Sequence, residues 1–479
     1  MSNATRLFVM AGAALSLGSV ALADQPAAVD TDQVRATVRE MLADADTRSS
    51  LLEGGGTAGH NGRNFYLASG DGNFVMNFFA YTQLRYMIHF SQNANGAPST
   101  ATNDSFDSGF TNNLTVVGIF GNFLSPAWEY VISVEMSDNG GTNTPGTPAV
   151  VGPPAVPAVP ASSTAGGGAR LYDGYISYKF DQNAKFQMGQ YKSHFMREAS
   201  LGDTTLMAAN RSVLESAFGQ GRSQGVSAIW ANDAFMAAFD FNDGFRTANT
   251  NWNSTAESDF NVGGRFNWRF AGTDDQLKDY TSMPGDAFGG CVGGGVAYAQ
   301  GLEDPASILG AGTPAELNTR YKYLTYTIDA QVEGGGFGAY AAFVGSNDDA
   351  RQPGVSSIDN FGAALQGNWR FHKDWEIFCR GDWVQLDSVQ TNVAIGQRKN
   401  NFFVTPGINY YIAGHAAKVT LDCIIACNRS DALATNTIVP QGSAGTTGGG
   451  ILNANNGIGL LGSSRGGETA VRLQFQGAF

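Results

Sequence analysis

Arg85, Arg265, Arg269, Arg370, Arg380, Lys418 and Arg472 each stand on the polar face of a short segment whose other face is apolar. Glu129, Glu135, Asp173, Asp329, Glu376, Asp382 and Asp422 recur in the same way. Fixed charges of opposite sign, facing each other across a narrow water-filled space, order water and sort polar solutes. That is permeation chemistry. Catalysis would need a nucleophile and a base held together. The histidines, His60, His89, His194, His372 and His415, fall in turns, at strand ends or ahead of the alternating region. The chain has no H-E-x-x-H and no metal-ligand spacing of His and Cys. No catalytic residue, metal or cofactor is assigned.

The elements that carry these charges have a period of two. Trp128, Tyr130, Ile132, Val134 and Met136 oppose Glu129, Ser133 and Glu135. Leu324, Tyr326, Ile328, Ala330 and Val332 oppose Thr325, Thr327, Asp329 and Gln331. Successive side chains of a strand point to opposite faces, so lipid can take the apolar face while the polar one lines a lumen. The chain closes in the same pattern, ETAVRLQFQGAF. Phe475 and Phe479 lie on its apolar face, and a terminal Phe resembles the signal that outer-membrane proteins present to their assembly machinery.

Such segments begin near 74, 112, 128, 170, 185, 223, 234, 259, 290, 320, 336, 358, 374, 400, 415 and 468. They predict an all-β fold, a transmembrane antiparallel β-barrel of about sixteen strands. Tight connections, such as 125–127, 181–184, 232–233, 334–335, 372–373 and 413–414, alternate with long ones at 89–111, 138–169, 195–222, 243–258, 301–319, 346–357, 389–399 and 428–467. Turns and loops alternate in this way at the two ends of a barrel. The segment 272–289 breaks the rule, being long where a turn is expected.

Ahead of the barrel, Arg6, the stretch LFVMAGAALSLGSVAL and Ala21-Leu22-Ala23 read as a secretory signal peptide, residues 1–23. Its removal takes away Arg6 and no acid, so the formal charge of −13 becomes −14. That acidity argues against nucleic acid as a partner. Residues 24–72 read as a periplasmic stalk and linker, with a helix over 30–52 capped by Asp30 and striped by Val34, Val38, Met41 and Ala45. The barrel domain is 73–479. Export permits disulfides among Cys291, Cys379, Cys423 and Cys427, though on one strand Cys423 and Cys427 would stand about 13 Å apart. The Pro/Gly/Ala-rich stretch 145–169 reads as a surface loop.

One region has a recognisable layout. A strand ending GQYK (Gly189 to Lys192) leads into a long polar loop, which returns through Arg222, Gly225 and Val226. This resembles the phosphate-selective porin O and P family. LADADTRSSLL ahead of the barrel is also similar in style to the large porins of planctomycete-type bacteria. The resemblance implies a trimeric, sixteen-stranded, water-filled outer-membrane channel whose third loop, 195–222, folds inward as the constriction. Carried over by position, Lys192, Arg197, Arg211 and Arg222 would draw an anion and replace its hydration with charge-assisted hydrogen bonds. Strand parity adds Arg85, Arg265 and Arg269. Glu198, Asp203 and Glu215 offset these charges.

The expected function is a porin in the lipid of the bacterial outer membrane. It would pass small hydrophilic solutes or ions passively, with an anion or phosphate preference implied by the resemblance. The alternative is a structural or adhesive barrel with a plugged lumen.

Overall fold

The alternating segments pair antiparallel with their neighbours and close on themselves. The computed structural model describes residues 56–92, 104–137, 143–144, 162–163, 168–254, 257–302, 321–349, 357–391, 396–439, 450–452 and 457–479. In chain order the strands are β1 (Thr57–His60), β2 (Phe65–Ala68), β3 (Val75–Gln92), β4 (Asp104–Phe123), β5 (Ser125–Met136), β6 (Asn143–Thr144), β7 (Ser162–Ser163), β8 (Ala169–Lys179), β9 (Ala184–Lys192) and β10 (Arg222–Ala231). They continue as β11 (Phe235–Asn242), β12 (Phe260–Ala271), β13 (Gly289–Leu302), β14 (Tyr321–Gly334), β15 (Phe337–Asp349), β16 (Ile358–His372), β17 (Trp375–Gln385), β18 (Asn400–Ala413), β19 (Ala417–Ala426) and β20 (Glu468–Ala478). Sixteen of them, β3 to β5 and β8 to β20, form the barrel, which β20 closes by pairing with β3. Closure satisfies the strand edges, the condition for crossing a bilayer with strands.

Residues 1–56 are a separate unit. The expected signal peptide and the helix over 30–52 lie outside the described residues. Residues 57–68, expected as linker, instead form the β1–β2 hairpin. The reason is geometric. Pairing of β20 with β3 stops at Tyr81, which leaves the edge of β3 at Val75–Phe78 open, and β2 fills it by pairing Phe65 with Phe78 and Ala68 with Val75.

The predicted faces are the observed ones. On β14 Leu324, Tyr326, Ile328 and Val332 are exposed outward, while Thr325, Thr327, Asp329, Gln331 and Glu333 are buried inside. On β20 Leu473 and Phe475 face out and Arg472, Gln474 and Gln476 face in. Most strand starts fall within a few residues of expectation. The exception is β4, expected near 112 and starting at Asp104. It pairs with β5 only from Val116, so its first half pairs with β3 alone, and residues 106–110 are exposed on both faces. A ribbon wet on both sides has no amphipathic pattern to read.

The barrel has a turn end and a loop end. All four cysteines are free thiols. The buried apolar cluster of the molecule is not between layers but inside the barrel, where two long loops pack on the inward faces of β14 to β20.

Candidate functional site

The connection 193–221, between β9 and β10, crosses the lumen. Two short helices shape it, α1 (Arg197–Ser200) and α2 (Val213–Phe218). Ser212 caps α2 by accepting from Glu215 N at 2.9 Å. At the other end of α2 the Arg246 guanidinium donates to Ser216 O and Gly219 O at 2.8 and 2.9 Å. Inward side chains from around the barrel hold the loop backbone. Gln83 donates to Asp203 O at 2.9 Å, Gln476 to Thr204 O at 2.8 Å, Asn409 to Met207 O at 2.9 Å and Arg265 to Phe195 O at 2.7 Å. Asp422 accepts from Ala209 N at 2.9 Å. Phe195, Met196, Val213, Leu214 and Phe218 are buried in the same cluster as Val344, Ile358, Val384 and Phe403 of the wall.

The described residues of the loop after β19 also lie inside, burying Leu433, Ile438, Val439, Ile458 and Leu460. Its anchor is Glu468, which accepts from His89 Nε2 and from the backbone N–H of Leu461 and Gly462, each at 2.9 Å, and from Ser430 Oγ at 2.5 Å.

Across the lumen from this packing sits a cluster of charges around Asp203. Its carboxylate accepts from Tyr81 Oη at 3.0 Å, Tyr172 Oη at 2.8 Å and Arg211 Nη2 at 2.7 Å, with Lys192 Nζ 3.6 Å away. Burial alone would raise the Asp203 pKa, but the Lys192 ammonium and the Arg211 and Arg222 guanidiniums outweigh it and hold the carboxyl well below its ordinary range. Beside it, Arg222 grips Asp173 through Nε and Nη2 at 2.9 and 3.0 Å and lies 3.3 Å from the Tyr172 ring centroid.

A β-bulge makes that double contact possible. Tyr172 and Asp173 of β8 together oppose the single residue Ser133 of β5, so consecutive side chains reach the same cluster. The GQYK segment braces the bulge. Gly189 has φ +134, and a Cβ there would come within 2.2 Å of the Gly174 carbonyl oxygen, so only glycine fits. Gln190 Nε2 then donates to Leu171 O and Tyr172 O at 2.8 and 3.1 Å.

Of the expected constriction residues, Lys192, Arg211 and Arg222 come together here. Arg197 does not. It is buried in α1 and donates to Gln331 Oε1 at 2.7 Å and Leu277 O at 2.5 Å, a tie between the loop and the wall. Arg85 points inward but is consumed by Gln474, Ala209 O and Gly457 O. Arg265 pairs with Asp329 at 2.6 Å, and Arg269 binds Asp274 and the Asp233 carbonyl at the turn end. Tyr81, Tyr172 and Arg170, which pairs with Glu135 at 2.9 Å, were not legible as site residues. The bulge has no signature in the residue pattern. His194 contacts Asp240 at 2.9 Å and Ser227 at 3.4 Å, but both through Nδ1, so no proton relay from serine through the ring to the carboxylate exists there.

No family model and no curated protein matches the chain. Among solved structures, the outer membrane channel DcaP of Acinetobacter baumannii is similar at 10% identity with a TM-score of 0.50, covering 84% of this chain and 97% of that one. The anion-selective porin from Comamonas acidovorans is similar at 11% identity, TM-score 0.49, over 84% of this chain and 99% of that one. Salmonella typhi OmpF is similar at 11% identity, TM-score 0.48, over 88% of this chain and 100% of that one. The likeness is one of fold: a closed antiparallel barrel of sixteen strands with the architecture of outer-membrane porins.

Proposed function

We propose that the chain is an outer-membrane porin through which small hydrophilic solutes or ions diffuse passively, with loop 193–221 as its constriction. One observation carries this reading. The cluster of Lys192, Asp173, Asp203, Arg211 and Arg222 lies in the lumen with its groups still partly open to water. Lys192, Asp173 and Arg222 side chains are 20%, 21% and 14% exposed. Charges of both signs at a narrowing set size and charge limits without a tight binding site.

The anion or phosphate preference implied by the resemblance has less support. Arg222 already holds Asp173, and Lys192 and Arg211 share Asp203. An anion would have to displace a carboxylate from charge-assisted hydrogen bonds. We therefore propose a weakly selective path rather than a phosphate site. The homotrimer rests on the sequence resemblance. The outward, exposed Phe475 and Phe479 are the proposed assembly signal.

The test is single-channel conductance in a planar bilayer under a salt gradient, then with phosphate added. Steady openings without phosphate block support the reading. Block relieved by Arg211→Ala would restore the phosphate preference. The apolar packing inside the barrel favours one second reading, a structural or adhesive barrel without transport. Absence of openings from folded protein would select it.

A further inference from the structure

The connection from β12 to β13, Gly272–Phe288, is an insertion at the end of the barrel where the other connections are short turns. A 3-10 turn at Gln276–Lys278 heads it inward, and Leu277, Tyr280 and Ser282 are buried. Neighbouring inward side chains hold its backbone: Arg197 donates to Leu277 O and Gln331 to Asp279 O, both at 2.5 Å. The Tyr280 ring packs on Tyr340 of β15 with centroids 4.9 Å apart. Beyond that, Thr281 Oγ1 lies 3.3 Å from Tyr411 Oη on β18, and Asp279 lies 3.2 Å from His415 Nε2 in the β18–β19 turn. The segment therefore runs from β12 past β14 and β15 to β18, a strap across part of the turn-end mouth. It also meets the third loop, through Arg197 and through Thr205 Oγ1, 3.5 Å from Lys278 O.

The strap is acidic. Asp274, Asp275, Asp279 and Asp286 stand against one lysine, Lys278. Arg269 of β12 pairs with Asp274 and Lys278 with Asp275, while the Asp286 carboxylate accepts only from the strap's own Met283 N and Ser282 Oγ. Two carboxylates are therefore left without an arginine or lysine, and Asp286 is exposed. Fixed charge at a pore mouth raises the local concentration of the opposite ion within a Debye length, about 8–10 Å at moderate salt.

We propose that Gly272–Phe288 is a second selectivity element, in series with loop 193–221, that narrows the turn-end mouth and favours cations there. This rests on the channel reading. Two variants test it, both checked for folding by the heat-dependent shift of the barrel on gels. In the first, the strap is replaced by an Asn-Gly turn. In the second, Asp274→Asn, Asp275→Asn and Asp286→Asn keep the strap and remove charge. The first is expected to raise single-channel conductance on the order of twofold. The second is expected to move the zero-current potential toward anions. A conducting wild type with both variants unchanged overturns the proposal alone. A wild type that never conducts overturns the channel reading and this proposal with it.

Discussion

Two arcs of the same inner wall use one sequence pattern for opposite ends. On the arc of β12 to β20, the side chains of Arg265, Arg380 and Arg472 are 1%, 2% and 0% exposed, each tied to Asp329, Asp382 or Asp422. On the arc of β5 to β10, Arg170 and Lys192 remain 52% and 20% exposed while also paired. Alternation assigns the first set to the inside of the barrel, and the β8 bulge and the run into loop 193–221 bring Arg170 and Lys192 there as well. Being inside does not say whether a side chain meets water. The loops decide, because 193–221 and the connection after β19 carry their apolar residues onto the first arc and leave the second to solvent.

The comparison can be broken first on the packed arc. Arg265→Ala leaves Asp329 buried without its cation, a loss of about 3–5 kcal/mol that denaturant unfolding should report. Leu214→Ala, which empties a fully buried position of α2, should cost about 2–5 kcal/mol. Because that cost falls on loop seating, protease cleavage within 193–221 should rise. On the open arc, Arg222→Ala removes one positive charge from beside Asp173 and Asp203. The zero-current potential should move toward cations while barrel stability changes less than in either packed-arc variant. Arg170→Ala, half exposed, should change stability by no more than about 1 kcal/mol.

Acid sharpens the same contrast. The Asp203 carboxyl sits well below its ordinary range, so its stabilising contribution is complete above the unfolded value, about pH 4, and is lost as pH falls through the lowered value. Loop protection and conductance should therefore hold steady from pH 8 to about pH 5 as far as this group governs them. A decline beginning near neutral pH would show that Asp203 does not set the cluster.

Much of the barrel was legible because lipid imposes a rule on every second residue. Strand faces, strand starts and the alternation of turns and loops all followed from it. The rule lapses where lipid does not reach. Residues 106–110 of β4 are wet on both faces, and 57–68 extend the sheet beyond the end of β20. The layout reads loop 195–222 as polar, yet Phe195, Met196, Leu206, Met207, Leu214 and Phe218 within it are too apolar for a solvated loop. Those residues were the available sign of a lumen-filling segment. Leu433, Ile438, Val439, Ile458 and Leu460 said the same of the connection after β19. Of the site, Lys192, Arg211 and Arg222 could be placed from the loop's layout. From the sequence Asp173 is only one lumen acid among several, because its partnership with Tyr172 depends on a bulge that no spacing announces. The long segment at 272–289 was visible as an anomaly, and its inward course depends on Tyr280 and Leu277 finding partners on distant strands.

The central claim is that one arc of the lumen is a water path and the other a packed interior. The most direct measurement is thiol accessibility during conduction, in a background with the four native cysteines replaced by serine. Asp173→Cys should react with a charged water-soluble thiol reagent and reduce the current, whereas Val384→Cys, on the packed arc, should stay unmodified in the open channel. Equal, rapid modification of both positions would contradict the division and return the lumen to an undivided pore.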